Sequence, residues 1–403
     1  MGENTRDRNI AQTDLNGDQD YDLCRCSEGH DEPFYTFDIG HVLRQHSLWL
    51  KYMPRFQPYY AVKCNSHKLL LTVLEMLGCN FDCASKNEIE RVMSLGVPAD
   101  RIIYANPCKT ANYIRHAAAC RVEKMTFDNE EELYKVKKLF PDATLVLRIA
   151  VSDPTAVCPL NLKFGSEPSQ GAPALLRLAA ALELKVAGIS FHVGSGCRDP
   201  VAYAVAIEHA KNLFDYGRTL GHPMHILDIG GGFPGHDNPD VVAFETIAEI
   251  VNKNLDIHFA SDSNLTLIAE PGRFYAESSF TLYCSVIAST RVSADRITKN
   301  ESNSSEVGYM YYINDGVYGS FNCILYDHCQ PSGKPSLDYC WTSIWGPTCD
   351  SLDLVVSKCK MAPLNEGDWL VFGNMGAYTF AAGSEFNGFP RPTMIVVCSE
   401  EDL

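Results

Sequence analysis

The chain has 403 residues, 46% of them hydrophobic, and a formal net charge of −16 at pH 7. That hydrophobic share excludes global disorder, and no apolar run reaches the ~18 residues of a membrane span. The acidic balance disfavours nucleic acid, whose phosphates carry the same sign, and suits a cationic small ligand.

Residues 1–30 read as a disordered N-terminal segment, polar and acidic. Met1 to Asp20 has no basic start followed by an apolar stretch, which argues against a secretory or transit signal. The 16 cysteines form no C-x-x-C pair, and Cys24 and Cys26 are a weak metal signal at most. Reduced thiols in a cytoplasmic chain are the natural expectation, and the sequons at Asn264, Asn300 and Asn303 then read as chance matches.

From Phe34 short apolar runs alternate with amphipathic segments. The runs Tyr59–Lys63, Cys79–Ser85, Arg101–Asn106, Lys124–Asp128, Thr144–Ala150, Val186–Val193, His225–Gly230 and Leu265–Glu270 predict eight buried parallel strands. Helical patterns lie between them at Lys68–Leu77, Lys86–Leu95, Ala111–Ala119, Glu130–Phe140, Ala174–Leu182, Asp199–Leu220 and Val242–Val251. This alternation predicts an α/β fold, a (β/α)8 TIM-like barrel over 31–276. No glycine fingerprint follows the first strand, which weakens a doubly wound sheet. Ser152–Pro173 is long for a connection and is expected to border the site. Residues 277–403 read as a C-terminal β domain, with strands near Phe280–Ser289, Tyr309–Asn314, Ser343–Trp345, Leu354–Cys359, Trp369–Phe372 and Met394–Val397. Ser293–Gly308 reads as a polar mobile loop, and the stretch Thr36–Asp38 as a candidate extra strand for this β domain.

Active sites of such barrels lie at the C-terminal ends of the strands. Placed there are Lys63, Asp82, Glu88, Asn106, Asp128, Arg148, His192, Ser195, Gly230, Gly231, Gly232, Glu270, Gly272 and Arg273. Each alone has a bland reading, whether solvated lysine, core histidine, tight turn or surface ion pair. Together they describe a cofactor site. Lys63 can offer an amine for a Schiff base. The three glycines let backbone N–H groups approach a phosphate, and Arg273 adds a planar fork of donors. Glu270 suits a protonated pyridine nitrogen, and His192 can stack on a ring. These parts predict pyridoxal 5′-phosphate (PLP).

The motifs then resemble a known family. Pro58-Tyr59-Tyr60-Ala61-Val62-Lys63-Cys64-Asn65, Phe191-His192-Val193-Gly194-Ser195-Gly196, Asp228-Ile229-Gly230-Gly231-Gly232-Phe233-Pro234-Gly235 and Glu270-Pro271-Gly272-Arg273 resemble the eukaryotic ornithine decarboxylases. So do Asn314-Asp315-Gly316-Val317-Tyr318-Gly319-Ser320-Phe321-Asn322, Gly346-Pro347-Thr348-Cys349-Asp350 and Asn374-Met375-Gly376-Ala377-Tyr378-Thr379. The resemblance runs from about Phe34 to Pro392 and implies an alanine racemase-like barrel, a β domain and a head-to-tail homodimer with shared active sites. It implies an L-ornithine to putrescine carboxy-lyase in polyamine biosynthesis. Carried over, Lys63 holds the cofactor, Asp82 and Arg148 (with Glu88) support it, and Tyr378 joins Ser195, Gly230–Gly232, Gly272 and Arg273 around it. Cys349 would reprotonate the substrate carbon; Asp327 and Asp350 would bind the distal ammonium, beside Tyr326, Phe386 and Asn387. Lys163 and Asp353 resemble the family's intersubunit ion pair.

Some features depart from that pattern. Ser351 stands where glycine is expected and Phe274 where tyrosine is expected, and the chain stops at Leu403 without the degradation tail of vertebrate members. The alternatives are a paralogue acting on lysine or on a neutral amino acid such as leucine, and a silent decoy that binds antizyme. Antizyme is also a candidate partner of an active enzyme, at the mixed-charge helical region Lys109-to-Lys138, for which a solvated helix face is the competing reading. A racemase fits less well, because that chemistry prefers a cation at the ring nitrogen.

Overall fold

Eight apolar runs close on themselves. In the computed structural model, which describes residues 31–151, 163–196, 199–237, 242–262, 264–327 and 339–398, strands β2 to β9 form a closed barrel in sequence order. They are β2 Gln57–Ala61, β3 Asn80–Cys83, β4 Ile102–Tyr104, β5 Lys124–Phe127, β6 Thr144–Arg148, β7 Val186–Ser190, β8 Ile226–Asp228 and β9 Thr266–Ala269. All neighbours pair in parallel, and β2 closes on β9 through Gln57↔Ile268 and Pro58↔Ala269. Tyr59, Ile103, Val146, Ala187, Ile226 and Ile268 form one packed interior cluster, each from a different strand. Fully burying such side chains contributes roughly 1.5–3 kcal/mol each, so the interior is a core and not a pore.

The helices between strands carry their own boundary signals. Ser85, Thr110 and Asn129 each accept a backbone N–H three residues on, capping α2 Lys86–Met93, α3 Ala111–Cys120 and α4 Glu130–Leu139. Glu130, Glu131 and Glu132 lie in the first turn of α4 and Lys137 and Lys138 in its last, which suits the helix dipole at both ends.

A helix the sequence reading passed over, α1 Ile39–Tyr52, precedes the barrel. Val42, His46 and Trp49 are buried from it, spaced four and three residues apart. That spacing was available as a signal. Trp49 sits among Phe233, Phe244, Phe274 and Tyr275, with ring centroids 5.2 to 6.5 Å away.

The described residues divide into two compact units, one of Val42–Ala276, the other joining residues up to His41 with those from Glu277 onward. In the second unit the strand order is β13-β12-β11-β10-β1-β15, with β14 also on β10. These are β1 Phe34–Asp38, β10 Phe280–Ser293, β11 Val307–Ile313, β12 Cys340–Trp345, β13 Leu354–Met361, β14 Trp369–Phe372 and β15 Thr393–Val397. β1 is antiparallel to β10 and parallel to β15. Phe34 lies opposite Tyr283 in that register, with the rings stacked at 4.7 Å.

Several expectations need correction. Ser293–Gly308 is not a bare loop: Asp295–Thr298 is helical, Glu301–Asn303 is a 3-10 turn, and Ser293 and Asn300 bond within it. Residues 1–30 and 152–162, where N-terminal disorder and the first half of the Ser152–Pro173 loop are expected, lie outside the described residues. The helix after that loop begins at Gly171, before Pro173, because proline is tolerated in a first turn whose N–H groups have no helical partner. Lys109 belongs to no solvated helix face; it is 3% exposed. No helix among the described residues is long and apolar enough to cross a membrane.

Candidate active site

Strand alternation builds the site. Side chains two residues apart share a face, so Arg148, Asp228 and Glu270 stand one layer above the interior residues Val146, Ile226 and Ile268, toward the C-terminal mouth. Lys63 does not end a strand as expected. β2 stops at Ala61, and Lys63 sits in the following turn, closed by Cys64 N–H donating to the Ala61 carbonyl at 3.0 Å. The turn frees the lysine from the pleat. Its ammonium bonds Asp82, whose side chain is wholly buried while that of Lys63 remains 37% exposed.

Asp82 is pushed up by burial, and Lys63 and then Arg148 act against that push. Glu88 is raised by burial too; its carboxylate accepts the Ala84 N–H at 2.6 Å, just past β3. Asn106 donates to the Ala84 carbonyl at 3.2 Å, and Asp128 accepts the Gly165 N–H at 2.8 Å. These two tie the loops of the rim together.

The glycine segments require glycine. Gly230 and Gly232 have φ of 65° and 107°. A Cβ on Gly230 would lie 2.3 Å from the Phe191 carbonyl, one on Gly231 2.7 Å from the Glu270 carbonyl, and one on Gly232 2.8 Å from that of Gly194. The turns after β7 and β8 therefore pack backbone against backbone. Arg273 donates to the Ser195 hydroxyl from Nε at 3.3 Å and Nη2 at 3.2 Å. A guanidinium, a hydroxyl and a glycine turn together suit a phosphate.

His192 accepts the Gly194 N–H on Nδ1 at 2.9 Å. Burial holds its imidazolium well below the usual range, with Arg148 and Lys63 acting the same way. It is a neutral, flat ring. Glu270 is raised well above the usual carboxylate range, first by burial, then by Asp228 and Asp82.

The remaining expected residues lie in the other unit. Asp350 takes the Tyr318 hydroxyl on Oδ2 and the Leu352 N–H on Oδ1 at 2.9 Å. Phe386 stacks on Tyr318 at 4.4 Å. Cys349 is an exposed thiol whose N–H donates to Asn387 at 3.3 Å. Tyr326, 71% exposed, precedes Asp327, after which residues 328–338 are not described. Tyr378 holds a φ of 55°, rare for a bulky side chain. Asp353 is buried and accepts the N–H groups of Val317 at 2.7 Å and Thr348 at 3.0 Å. Tyr318, quoted only as part of a motif, is a residue the sequence reading missed; nothing in its spacing reveals its bond to Asp350. Phe274 does not face the site; its ring packs in the aromatic core, 4.5 Å from Phe244.

An amine held on a buried aspartate, a buried glutamate, a neutral ring and a glycine–Arg–Ser cradle at one barrel mouth are the parts that PLP needs. Comparison with known proteins agrees. The profile of the family "Pyridoxal-dependent decarboxylase, pyridoxal binding domain" matches residues 39–277. The ornithine decarboxylase of Caenorhabditis elegans is 54% identical over 379 residues, 92% of this chain and 89% of that protein. This chain belongs to the eukaryotic ornithine decarboxylase family of pyridoxal-dependent decarboxylases. Antizyme inhibitor 2 of Xenopus laevis is 48% identical, covering 89% of this chain and 80% of that protein. The lysine/ornithine decarboxylase of Vibrio vulnificus, solved with putrescine, aligns with a TM-score of 0.82 and 29% identity over 95% of this chain and 99% of that one. Membership of the decarboxylase family makes the barrel a PLP site and the protein a carboxy-lyase.

Proposed function

We propose that this protein converts L-ornithine to putrescine and CO2. The observation that carries the reading is the complete cofactor set at the barrel mouth, with Lys63 on Asp82 and Arg273 on Ser195. A decoy would be expected to lack such parts. When bound, PLP supplies an electron sink for the breaking bond between Cα and the carboxylate.

The chain's residues do the rest. Lys63 would hold the cofactor through its amine, with Asp82 keeping that amine in place. Arg273, Ser195 and the N–H groups of 230–232 would hold the phosphate. Glu270 would meet the ring nitrogen, and His192 would offer the ring an uncharged plate. Arg148 and Gly272 shape the surroundings. Cys349 carries a proton to Cα. Asp350, oriented by Tyr318, and Asp327 receive the distal ammonium, walled by Tyr326 and Phe386. Burying carboxylates against a neutral side chain would leave them uncompensated, which favours ornithine over leucine.

This scheme includes a head-to-tail homodimer in which Cys349, Asp350 and Asp327 of one copy serve the barrel of the other. Leu325, Tyr326, Leu352 and Phe386 are 58%, 71%, 74% and 43% exposed, an apolar set that a second copy would cover. The expected location is the cytoplasm, supported by the free thiols among the described residues. Radiometric CO2 release from ornithine, lysine and leucine tests the substrate. Ornithine is expected to exceed lysine, with leucine inert; a preference for leucine, or no release from any of them, overturns the reading.

A further inference from the structure

The barrel mouth encloses a carboxyl group to which the proposed chemistry gives no task. Asp228 ends β8, one layer above Ile226, and is 1% exposed. Its Oδ1 accepts the Gly230 N–H at 2.9 Å. Its Oδ2 is enclosed and receives no hydrogen bond from a backbone N–H, hydroxyl or basic side chain among the described residues. The group within hydrogen-bonding reach of the Asp228 side chain is the Glu270 carboxyl. The backbone fixes their approach, since Glu270 N–H donates to the Gly230 carbonyl at 2.7 Å.

Two ionised carboxylates in such a contact repel, and neither offers a donor. One proton between them turns the contact into a hydrogen bond. The charges nearby lead to the same count. Asp82 from β3, Asp228 from β8 and Glu270 after β9 are three buried carboxyls, and the cations that act on them are Lys63 after β2 and Arg148 from β6. Two cations leave at least one carboxyl to be neutralised, the more so because Glu88, also raised by burial, interacts with the same Asp82 and Lys63, and uncompensated burial of a charge favours protonation. Tyr59 on β2 and His192 after β7 add no positive charge: burial and then Asp228 raise the phenol, and the imidazole is held neutral.

We propose that Asp228 and Glu270 form a carboxyl–carboxylate pair holding one shared proton, with Asp228 the positioning residue that anchors Glu270 and keeps a proton beside the place of the ring nitrogen. The Gly230 N–H pins Oδ1, which leaves Oδ2 as the oxygen to share the proton. Burial of the pair is consistent with this, Asp228 being pushed up to about 7. The pair titrates as a unit, so the proton belongs to both groups. Its use toward the cofactor rests on the reading above; the shared proton does not.

The test uses the full chain with cofactor removed. Infrared spectra of the wild type from about pH 5 to about pH 9 should show a carboxylic-acid C=O band persisting at neutral pH, above the usual carboxyl range. In Asp228→Asn the amide oxygen stays on Gly230 N–H and the NH2 donates to Glu270, so the band should vanish. Glu270→Gln should remove it as well, which guards against failed folding of the first variant. Asp315, raised to about 6, is mostly ionised at neutral pH and is not mistaken for the pair. Titration with PLP adds the second readout: Asp228→Ala should weaken binding about tenfold, while Asp228→Asn restores it to near wild type. No acid band in the wild type at neutral pH, an unchanged band in both variants, or equal PLP affinity of the alanine and wild-type proteins overturns the proposal. A wild type that shows the band but fails to bind PLP would sink the cofactor reading and leave the shared proton standing.

Discussion

Lys63 and Gly230 are the residues on which the proposed chemistry depends most directly. Replacing Lys63 with alanine should abolish the visible absorbance of bound PLP and lower kcat by several orders of magnitude, read by spectrophotometry and CO2 release. A normal turnover rate would refute its role. Gly230→Ala combines a left-handed φ with a Cβ 2.3 Å from the Phe191 carbonyl. It should lower both PLP affinity and the thermal midpoint, whereas Gly221→Ala, also at positive φ but with nothing near its Cβ, should cost only the local strain of about 1 kcal/mol. The rim residues Lys63, Asp82, Arg148, His192, Ser195, Glu270 and Arg273 were legible because polar groups at the ends of apolar strands stand out. Asp228 was not singled out. It was read as part of a glycine motif, and only the interior alternation of β8 shows that its carboxyl faces the mouth.

Among the elements, α4 is held by a group that reads in sequence as a surface charge. Lys109 Nζ, fully buried, meets Glu132 at 2.8 Å and the carbonyls of Asn106 at 3.0 Å and Thr126 at 2.6 Å. Burial lowers the pKa of Lys109, and Glu132 opposes that. Lys109→Met should destabilise the protein by about 1–3 kcal/mol, because Glu132 keeps its burial, loses its enclosed cation and is left with the half-buried Lys135. The double variant with Glu132→Gln should recover part of this, and thermal denaturation measures both. The loop after β11 gives a pH effect. Asp315 is pushed up to about 6 by burial, with Oδ1 on the N–H groups of Gly316 and Ser320 and Oδ2 without a partner among the described residues. An acid whose folded value exceeds its unfolded one binds more protons when folded, so stability gained from it rises as pH falls from about 6 to about 4. Asp315→Asn, with its NH2 at the Oδ2 position, should flatten that slope; an identical slope in the variant would contradict it. Period and length made the barrel strands and most helices readable. Helix α1 escaped although its buried residues keep helical spacing, and the polar stretch 293–308 looked unstructured because its turns are held by side chain–backbone bonds, which no hydrophobic pattern reports.

For the whole molecule, the −16 formal charge creates a field that draws cations. The KM for ornithine should rise between low salt and about 0.15 M salt, while the unfolding midpoint changes little. A KM independent of salt would show that the net charge plays no part in capture. The two-unit division was only partly visible in sequence. The change from alternating helices to turn-separated strands marks the second unit, and the expected extra strand at Thr36–Asp38 is there as Phe34–Asp38, but which strands it joins depends on pairing across more than 200 residues, which no local pattern reports.

That pairing has a consequence for the nascent chain. β1 emerges from the ribosome first, yet its neighbours β10 and β15 are made only after the entire barrel. At roughly 5–20 residues per second, the apolar strand must wait tens of seconds without a sheet to join. A chaperone that shields a short extended segment during synthesis would therefore raise the yield of this protein, and a copy lacking Phe34–Asp38 would leave β15, at the other terminus, without its strand partner.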